Sequence, residues 1–215
     1  MTANAFLSLL QGAGLTLLLS GAGIAIGVPL GLALALIRWA QVPVVAQVAA
    51  LYVSLLRSTP AVTLCLLIFF AVPTLGIEIG AWTAGILTLA LVTAAFNSEI
   101  WRAGLMNFSA EQLEAARAFG MTPGLRLRRI IFPQLWRASL PGLVNEATLL
   151  VKASPAIAVI GVAEITRAAT RIGAQTYEPL PPMLAATAIY IAIILVLVGL
   201  QRVTEKRYGR IGASA

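Results

Sequence analysis

Few side chains in this chain could do chemistry, and their types narrow what that chemistry could be. The sequence has no aspartate and no histidine, and its lysines are Lys152 and Lys206. Neither lysine lies in a G-x-x-x-x-G-K-[ST] loop, so the chain has no phosphate cradle of the P-loop type. The missing residues also exclude an aspartyl-phosphate route and an imidazole base or ligand. With Cys65 as the single cysteine, a disulfide framework or thiolate metal site is excluded as well. We therefore predict that the chain is no enzyme and holds neither cofactor nor metal.

One carboxylate, Glu146, follows Asn145 inside an apolar stretch. An ionisable group at membrane depth is costly and generally faces a bundle interior or a wet cavity. Glu146 is therefore either a buried, hydrogen-bonded strut or a group on a solute path that meets an ammonium or guanidinium group. Asn97 could face the same path, although a lone asparagine in a span commonly bonds a neighbouring helix. The candidate pathway residues are Asn97, Asn145 and Glu146.

Three further charged residues have local interpretations. Glu99 and Arg102 are three residues apart, which places them on one helical face as an ion pair. Arg57 precedes Ser58-Thr59-Pro60, where a proline allows a helix to restart. Its guanidinium either extends to the membrane interface or takes part in gating.

The composition is that of a membrane protein. Of 215 residues, 60% are hydrophobic and 11% are charged, whereas a soluble domain carries about a quarter charged residues. Stretches long enough to cross a bilayer predict an all-α integral membrane protein with about five transmembrane helices. The predicted spans are Leu15–Ile37, Thr59–Val72 after a helical stretch at Val44–Leu56, Trp82–Leu105, Leu135–Val151 and Leu180–Leu200.

Glycines repeat at four-residue spacing on the first span, at Gly23, Gly27 and Gly31. Such a row lets another helix approach closely. The glycine row could serve static packing within the bundle or form a surface that slides during transport. The linker Lys152–Pro182 is too apolar for a solvated loop, and we expect it to fold back against the bundle, where protein or water satisfies its backbone.

The distribution of basic residues predicts the orientation. The net charge of +7 resides largely in segments that fall on one side of five spans, which is the positive-inside pattern. Membrane orientation, rather than nucleic-acid binding, therefore explains the positive charge. The lipid bilayer is the expected surroundings of the chain. It places the N-terminus outside and the C-terminus in the cytoplasm. The run Arg126–Arg129 belongs to this pattern or, alternatively, holds anionic lipid headgroups.

The segment 109–133 predicts a short basic helix–turn–helix. Ser109 and Gln112 have the spacing of a capping box, in which the hydroxyl caps one N–H and Gln112 reaches back to another. The first helix should run to Phe119, with Gly120 taking the left-handed turn that closes it. Thr122-Pro123 should start the next helix as N-cap and first residue. We expect a break or kink at Pro133.

This segment resembles the signature of ABC-importer permeases. The matching residues are Glu114, Ala115, Ala116 and Gly120, followed by Ile130, Phe132 and Pro133, with phenylalanine where that family usually has leucine. Four other segments are similar to the polar amino-acid class (histidine/glutamine type) of these binding-protein-dependent permeases. They are Arg57–Pro60, Phe96–Gly104, Asn145-Glu146 and Val159–Ala169. The resemblance extends from about Leu10 to Arg202.

The resemblance implies a type I ABC importer permease-like fold and an inner-membrane subunit for an amino acid or amino-acid derivative. Residues 1–10 would be an external segment, 11–202 the permease domain and 203–215 a cytoplasmic tail. In that family Glu114, Ala115, Ala116 and Gly120 would couple the 109–133 loop to an ATP-binding subunit dimer, which holds ATP and Mg. The other implied partners are a second permease subunit, identical or homologous, and an external solute-binding protein. An ion-coupled secondary carrier or a channel is the alternative.

Overall fold

A computed structural model of the chain describes residues 2–208, and every regular element in that range is helical. The elements in chain order are α1 (Ala3–Trp39), α2 (Val45–Ser58), α3 (Ala61–Thr74), α4 (Ala81–Met106), α5 (Ala110–Ala118), α6 (Pro123–Arg126), a π-helix (Leu127–Ile131), α7 (Phe132–Ala153), a 3-10 helix (Ser154–Ile160), α8 (Ile165–Thr176) and α9 (Leu180–Tyr208).

Each predicted span coincides with a helix. Within residues 2–208, four helical stretches are long and apolar enough to cross a membrane: α1, α4, the stretch Pro123–Ile160 and α9. The pair α2 and α3 adds a fifth if it crosses as one broken span, with a bend of 111° between its halves. The prediction of about five spans is confirmed, including the Leu135–Val151 span that carries Glu146.

The bend between α2 and α3 arises from local sequence. Proline disfavours helical backbone in the residue before it, and Thr59 is extended, with φ −95° and ψ 128°. Pro60 then caps α3, which confirms the predicted restart. The break leaves Arg57 in the last turn of α2, directly at the bend.

The glycine row packs α1 tightly against α4. A Cβ atom at Gly27 would lie 2.6 Å from Thr93 Cγ2 and 2.9 Å from the Ala90 carbonyl oxygen. At Gly31 it would lie 2.9 Å from the carbonyl oxygen of Ala94. Real Cβ atoms do not fit at these separations, so the two backbones meet because the side chains are absent. The packing role of the row is confirmed.

The linker between α7 and α9 folds back into the bundle, as predicted. Its 3-10 helix ends at Gly161, whose φ of 99° lies in the left-handed region. Ile157 and Ile165 are fully buried, and α8 packs between α1 and α9. The linker is therefore part of the core.

The predicted domain limits fall inside helices, because α1 begins at Ala3 and α9 continues to Tyr208. The division into an external segment, a permease domain and a tail stays a prediction. Residues 209–215 of the tail lie outside the described residues.

Candidate solute pathway and coupling loop

The loop between α4 and α7 has the predicted caps. Ser109 Oγ accepts a hydrogen bond from the Gln112 N–H at 3.3 Å, and Thr122 Oγ1 accepts one from the Leu125 N–H at 3.4 Å. Gly120 has φ +71°. Its N–H donates to the Arg117 carbonyl, and the Met121 N–H donates to the Ala116 carbonyl, which is a Schellman closure of α5. The predicted helix–turn–helix is confirmed.

Two details of the loop differ from the prediction. Gln112 does not reach back to the start of α5, because its Oε1 accepts a hydrogen bond from Gln134 Nε2 at 3.0 Å. The chain does not break at Pro133 either, since the π-helix leads directly into α7 and Pro133 lies in the first turn of that helix. Because the helix is continuous here, Pro133, which has no N–H, leaves one carbonyl of the preceding π-helix without its helical donor.

The four predicted coupling residues divide between the outside and the inside of the loop. Glu114, Ala115 and Gly120 are exposed, whereas Ala116 is buried. Leu113 packs beside Ile131 and Leu135 in the core under the loop. The loop is thus anchored on one side and free on the other.

Sequence reasoning missed the exposed aromatic side chain at the end of α5. Phe119 is 87% exposed, next to the capping glycine. A large apolar group on a short polar helix is the signal that could have indicated a contact surface here.

Glu146 and Arg57 define the candidate pathway site. Glu146 is buried on α7, and Arg57, at the bend between α2 and α3, is the charged group whose field acts on it. The two do not form an ion pair within the described residues. The Arg57 guanidinium lies over the Phe96 ring, with Cζ 5.4 Å from the ring centroid. Arg57 therefore lies near enough for its charge to act on Glu146, without a salt bridge between the two in the described residues.

The two asparagines predicted for the pathway do not join this pair. Asn145 is exposed on α7, on a different face from buried Glu146. Asn97 is 1% exposed and packs against Gly31 of α1. Its Oδ1 finds no hydrogen-bond partner within residues 2–208. Their role in a pathway stays a prediction.

The predicted Glu99–Arg102 pair is present and has a third member. Arg102 Nη2 lies 2.8 Å from Glu99 Oε2, and Arg38 Nη1 lies 2.5 Å from Glu99 Oε1. Arg38 lies in the last turn of α1, so the cluster joins the end of α1 to α4. Sequence spacing could not indicate Arg38, because 61 residues separate it from Glu99.

A second buried carboxylate was also missed. Glu164 is fully buried and accepts hydrogen bonds from the N–H groups of Thr166 and Arg167, at 2.9 and 2.8 Å. Tyr190 of α9 donates its hydroxyl to Glu164 Oε2 at 2.7 Å. Glu164 therefore caps α8 and ties it to α9. Glutamate is outside the usual set of N-cap residues, which is why the pattern was not recognised.

Comparison with known proteins identifies the family. Residues 27–210 match the family described as the inner membrane component of binding-protein-dependent transport systems. The chain belongs to this family. Its all-helical structure is that of the permease subunit of an ABC importer.

The relatives and solved structures agree with this assignment. The arginine permease ArtQ of Bacillus subtilis is 33% identical, over 93% of this chain and 91% of its own length. The nopaline permease NocM of Agrobacterium fabrum is 36% identical, over 94% and 88%. A crystal structure of an amino acid ABC transporter with histidines is 36% identical, covers 93% of this chain and 94% of its own, and superposes with a TM-score of 0.85.

The methionine transporter MetNI, at 23% identity and a TM-score of 0.73, shares the fold. None of these relatives favours the alternative of an ion-coupled carrier or a channel. The chain is a multi-pass membrane permease.

Proposed function

We propose that this permease imports an amino acid or an amino-acid derivative, and that Arg57 and Glu146 contact it. The relatives named for arginine, nopaline and histidine transport support the solute class. The observation that carries the proposal is the buried carboxylate of Glu146, on which the charge of Arg57 acts from a bend between helices. A free amino acid has one charged group for each of these two side chains. Its carboxylate complements Arg57, and its cationic end complements Glu146.

The physical reason for an amino acid is electrostatic. Charges interact far more strongly in a low-dielectric bundle than in water, so an anion near Glu146 would be repelled. A cation near Glu146 compensates a buried carboxylate, which is costly to leave unpaired at membrane depth. A sugar offers no charge for either group. The site therefore fits zwitterions and cations.

The 109–133 loop is the proposed contact with a separate ATPase. Its exposed residues Glu114, Ala115, Gly120 and Phe119 form a stiff surface on an anchored helix. In this proposal two ATPase subunits bind ATP and Mg, and two permeases, identical or homologous, form the pathway. An external binding protein delivers the solute. Closure of the ATPase pair moves the two loops together and opens the bundle outward, in the inner membrane, with the N-terminus external.

The test is uptake into vesicles that contain the complete complex. We expect ATP-dependent uptake of arginine, and Glu146→Gln should reduce the apparent affinity for it about tenfold through loss of a charge-assisted contact. Citrulline, with a neutral side chain, separates two arrangements. If Glu146 meets the side chain, only arginine uptake falls; if it meets the α-ammonium group, uptake of both falls.

Glu178→Gln is the matched control, because Glu178 is an exposed glutamate between α8 and α9. Normal uptake of both solutes by Glu146→Gln would make Glu146 a structural strut and remove it from the site. Uptake confined to sugars or inorganic anions would overturn the solute class itself.

A further inference from the structure

A small apolar groove lies where the end of α1 meets the start of α7. Its volume is about 220 Å³, and its walls include Leu32 and Leu36 of α1, Leu127 of the π-helix and Phe132 of α7. The polar side chain in its lining is Arg128. Sites for drug-sized molecules have volumes of about 300–1,000 Å³ and several placed polar groups. This groove is smaller than such sites, and Arg128 is the charged side chain in its lining.

The groove lies at the level where the membrane ends. Leu36 lies two residues before Arg38 and Trp39, the last residues of α1, and Trp39 is exposed. Arginine and tryptophan at the end of a span mark the interface between hydrocarbon and headgroups. Leu32 and Leu36 are therefore at the depth of acyl chains, and a soluble ligand would have to leave water to reach them.

Arg128 is available for an anion. It is exposed, and no ion pair joins it to another of the residues that the structure describes. Arg126 and Arg129 add positive charge on either side of it. The groove lining also includes part of a π-helix, an element that recurs at functional sites.

We propose that this groove binds one anionic phospholipid, with an acyl chain along Leu32, Leu36 and Phe132 and the phosphate on Arg128. The two halves of the site match the two halves of that molecule: an apolar slot at acyl depth and a cation at its mouth. Headgroup attraction near a membrane surface is expected to change binding about fivefold for each arginine. Neutral phospholipid, which lacks net charge, binds more weakly.

The experiment measures the phospholipid that stays with the purified complex. The intact transporter is extracted with detergent, exchanged into mixed micelles of phosphatidylglycerol and phosphatidylcholine, washed and analysed by mass spectrometry. We expect the natural chain to retain phosphatidylglycerol in preference to phosphatidylcholine. Arg128→Ala should lower that retention about fivefold, and Arg128→Lys should keep most of it. Leu36→Trp, which fills the slot, should lower it without changing charge.

Arg137→Ala is the matched control, because Arg137 is an exposed arginine on α7 outside the groove. It should leave retention unchanged. Thermal midpoints of all variants identify any that fail to fold. Arg128→Lys tests the charge at the groove and Leu36→Trp tests the apolar slot, each independently of Arg128→Ala. Equal loss in Arg128→Ala and Arg137→Ala would mean unspecific charge attraction and would overturn the site. Retention by the permease pair without the ATPase, but not by the intact transporter, would make the groove a protein contact, with the same consequence.

Discussion

Gly27 sets the distance between α1 and α4. A methyl group there would meet Thr93 and the Ala90 backbone at less than 3 Å, so the helices must separate to admit it. We predict that Gly27→Ala destabilises the permease by about 1–3 kcal/mol. A thermal melt followed by size-exclusion chromatography in detergent measures the effect.

Gly14→Ala is the control. Gly14 is on the same helix as Gly27, but a Cβ atom there would have no neighbour within 4 Å. The substitution should be neutral or slightly stabilising, since alanine favours helix. Equal melting of Gly27→Ala and the natural protein would contradict the tight packing of α1 on α4.

Tyr190 holds Glu164 in place through a hydroxyl at 2.7 Å. Removing that hydroxyl leaves a fully buried carboxylate with one donor fewer. We predict that Tyr190→Phe lowers stability by about 1–3 kcal/mol, measured as a fall in the thermal midpoint. Tyr177→Phe, at a side chain that is 92% exposed, should change nothing. Matching melting curves for the two variants would show that the Tyr190 hydroxyl does not support α8.

At the residue scale, sequence reasoning identified groups whose partners are close in the chain. Glu99 and Arg102 were paired correctly because helical spacing brings them together. Arg38 and Tyr190 were missed because tertiary packing, rather than spacing, brings them to their partners. Asn145 and Glu146 were taken together, but adjacent helical residues point to different faces, and only Glu146 is buried.

At the scale of elements, the coupling loop followed from its sequence because capping is local chemistry. Ser109, Gly120 and Thr122 act within a few residues of themselves, and each was assigned correctly. Gln112 was not, because Gln134, a residue of the next long helix, competes for its side chain. The sequence contains no signal for the π-helix. Its hydrogen bonds join each residue to the fifth residue before it, and a segment of five residues is too short to show that periodicity.

The loop itself gives the next prediction. Gly120→Val places a β-branched residue at φ +71°, which disrupts the turn, and Glu114→Arg reverses an exposed charge. Both variants should abolish ATP-driven uptake while the protein still inserts and assembles with its permease partner. Gly120→Asn should retain uptake, because asparagine tolerates the left-handed region. Normal uptake by both Gly120→Val and Glu114→Arg would remove the loop from coupling.

At the scale of the whole molecule, span count was predictable because hydrophobic length is recorded in the sequence. The bend of 111° between α2 and α3 was not, since a proline indicates a restart but not an angle. The path of the linker was foreseen from its apolar composition, and its exact partners on α1 and α9 required the tertiary structure.

Orientation is tested on the entire chain. The arginine distribution predicts a cytoplasmic C-terminus, so a phosphatase fused after Ala215 should be inactive and a fluorescent protein there should be bright. The same reporters placed ahead of α1 should give the opposite result. An active phosphatase at the C-terminus would overturn the orientation, and the same reporter result at both ends would overturn the odd number of crossings.

The 37 residues of α1 give a rod of about 55 Å at about 1.5 Å per residue, whereas the hydrocarbon layer is about 30 Å thick. Such a helix must tilt, extend past the hydrocarbon, or do both. Because the glycine row fixes α1 against α4, any tilt of one is shared by the other. We therefore expect bilayer thickness to act as a mechanical load on this pair of helices, and α4 leads directly into the 109–133 loop.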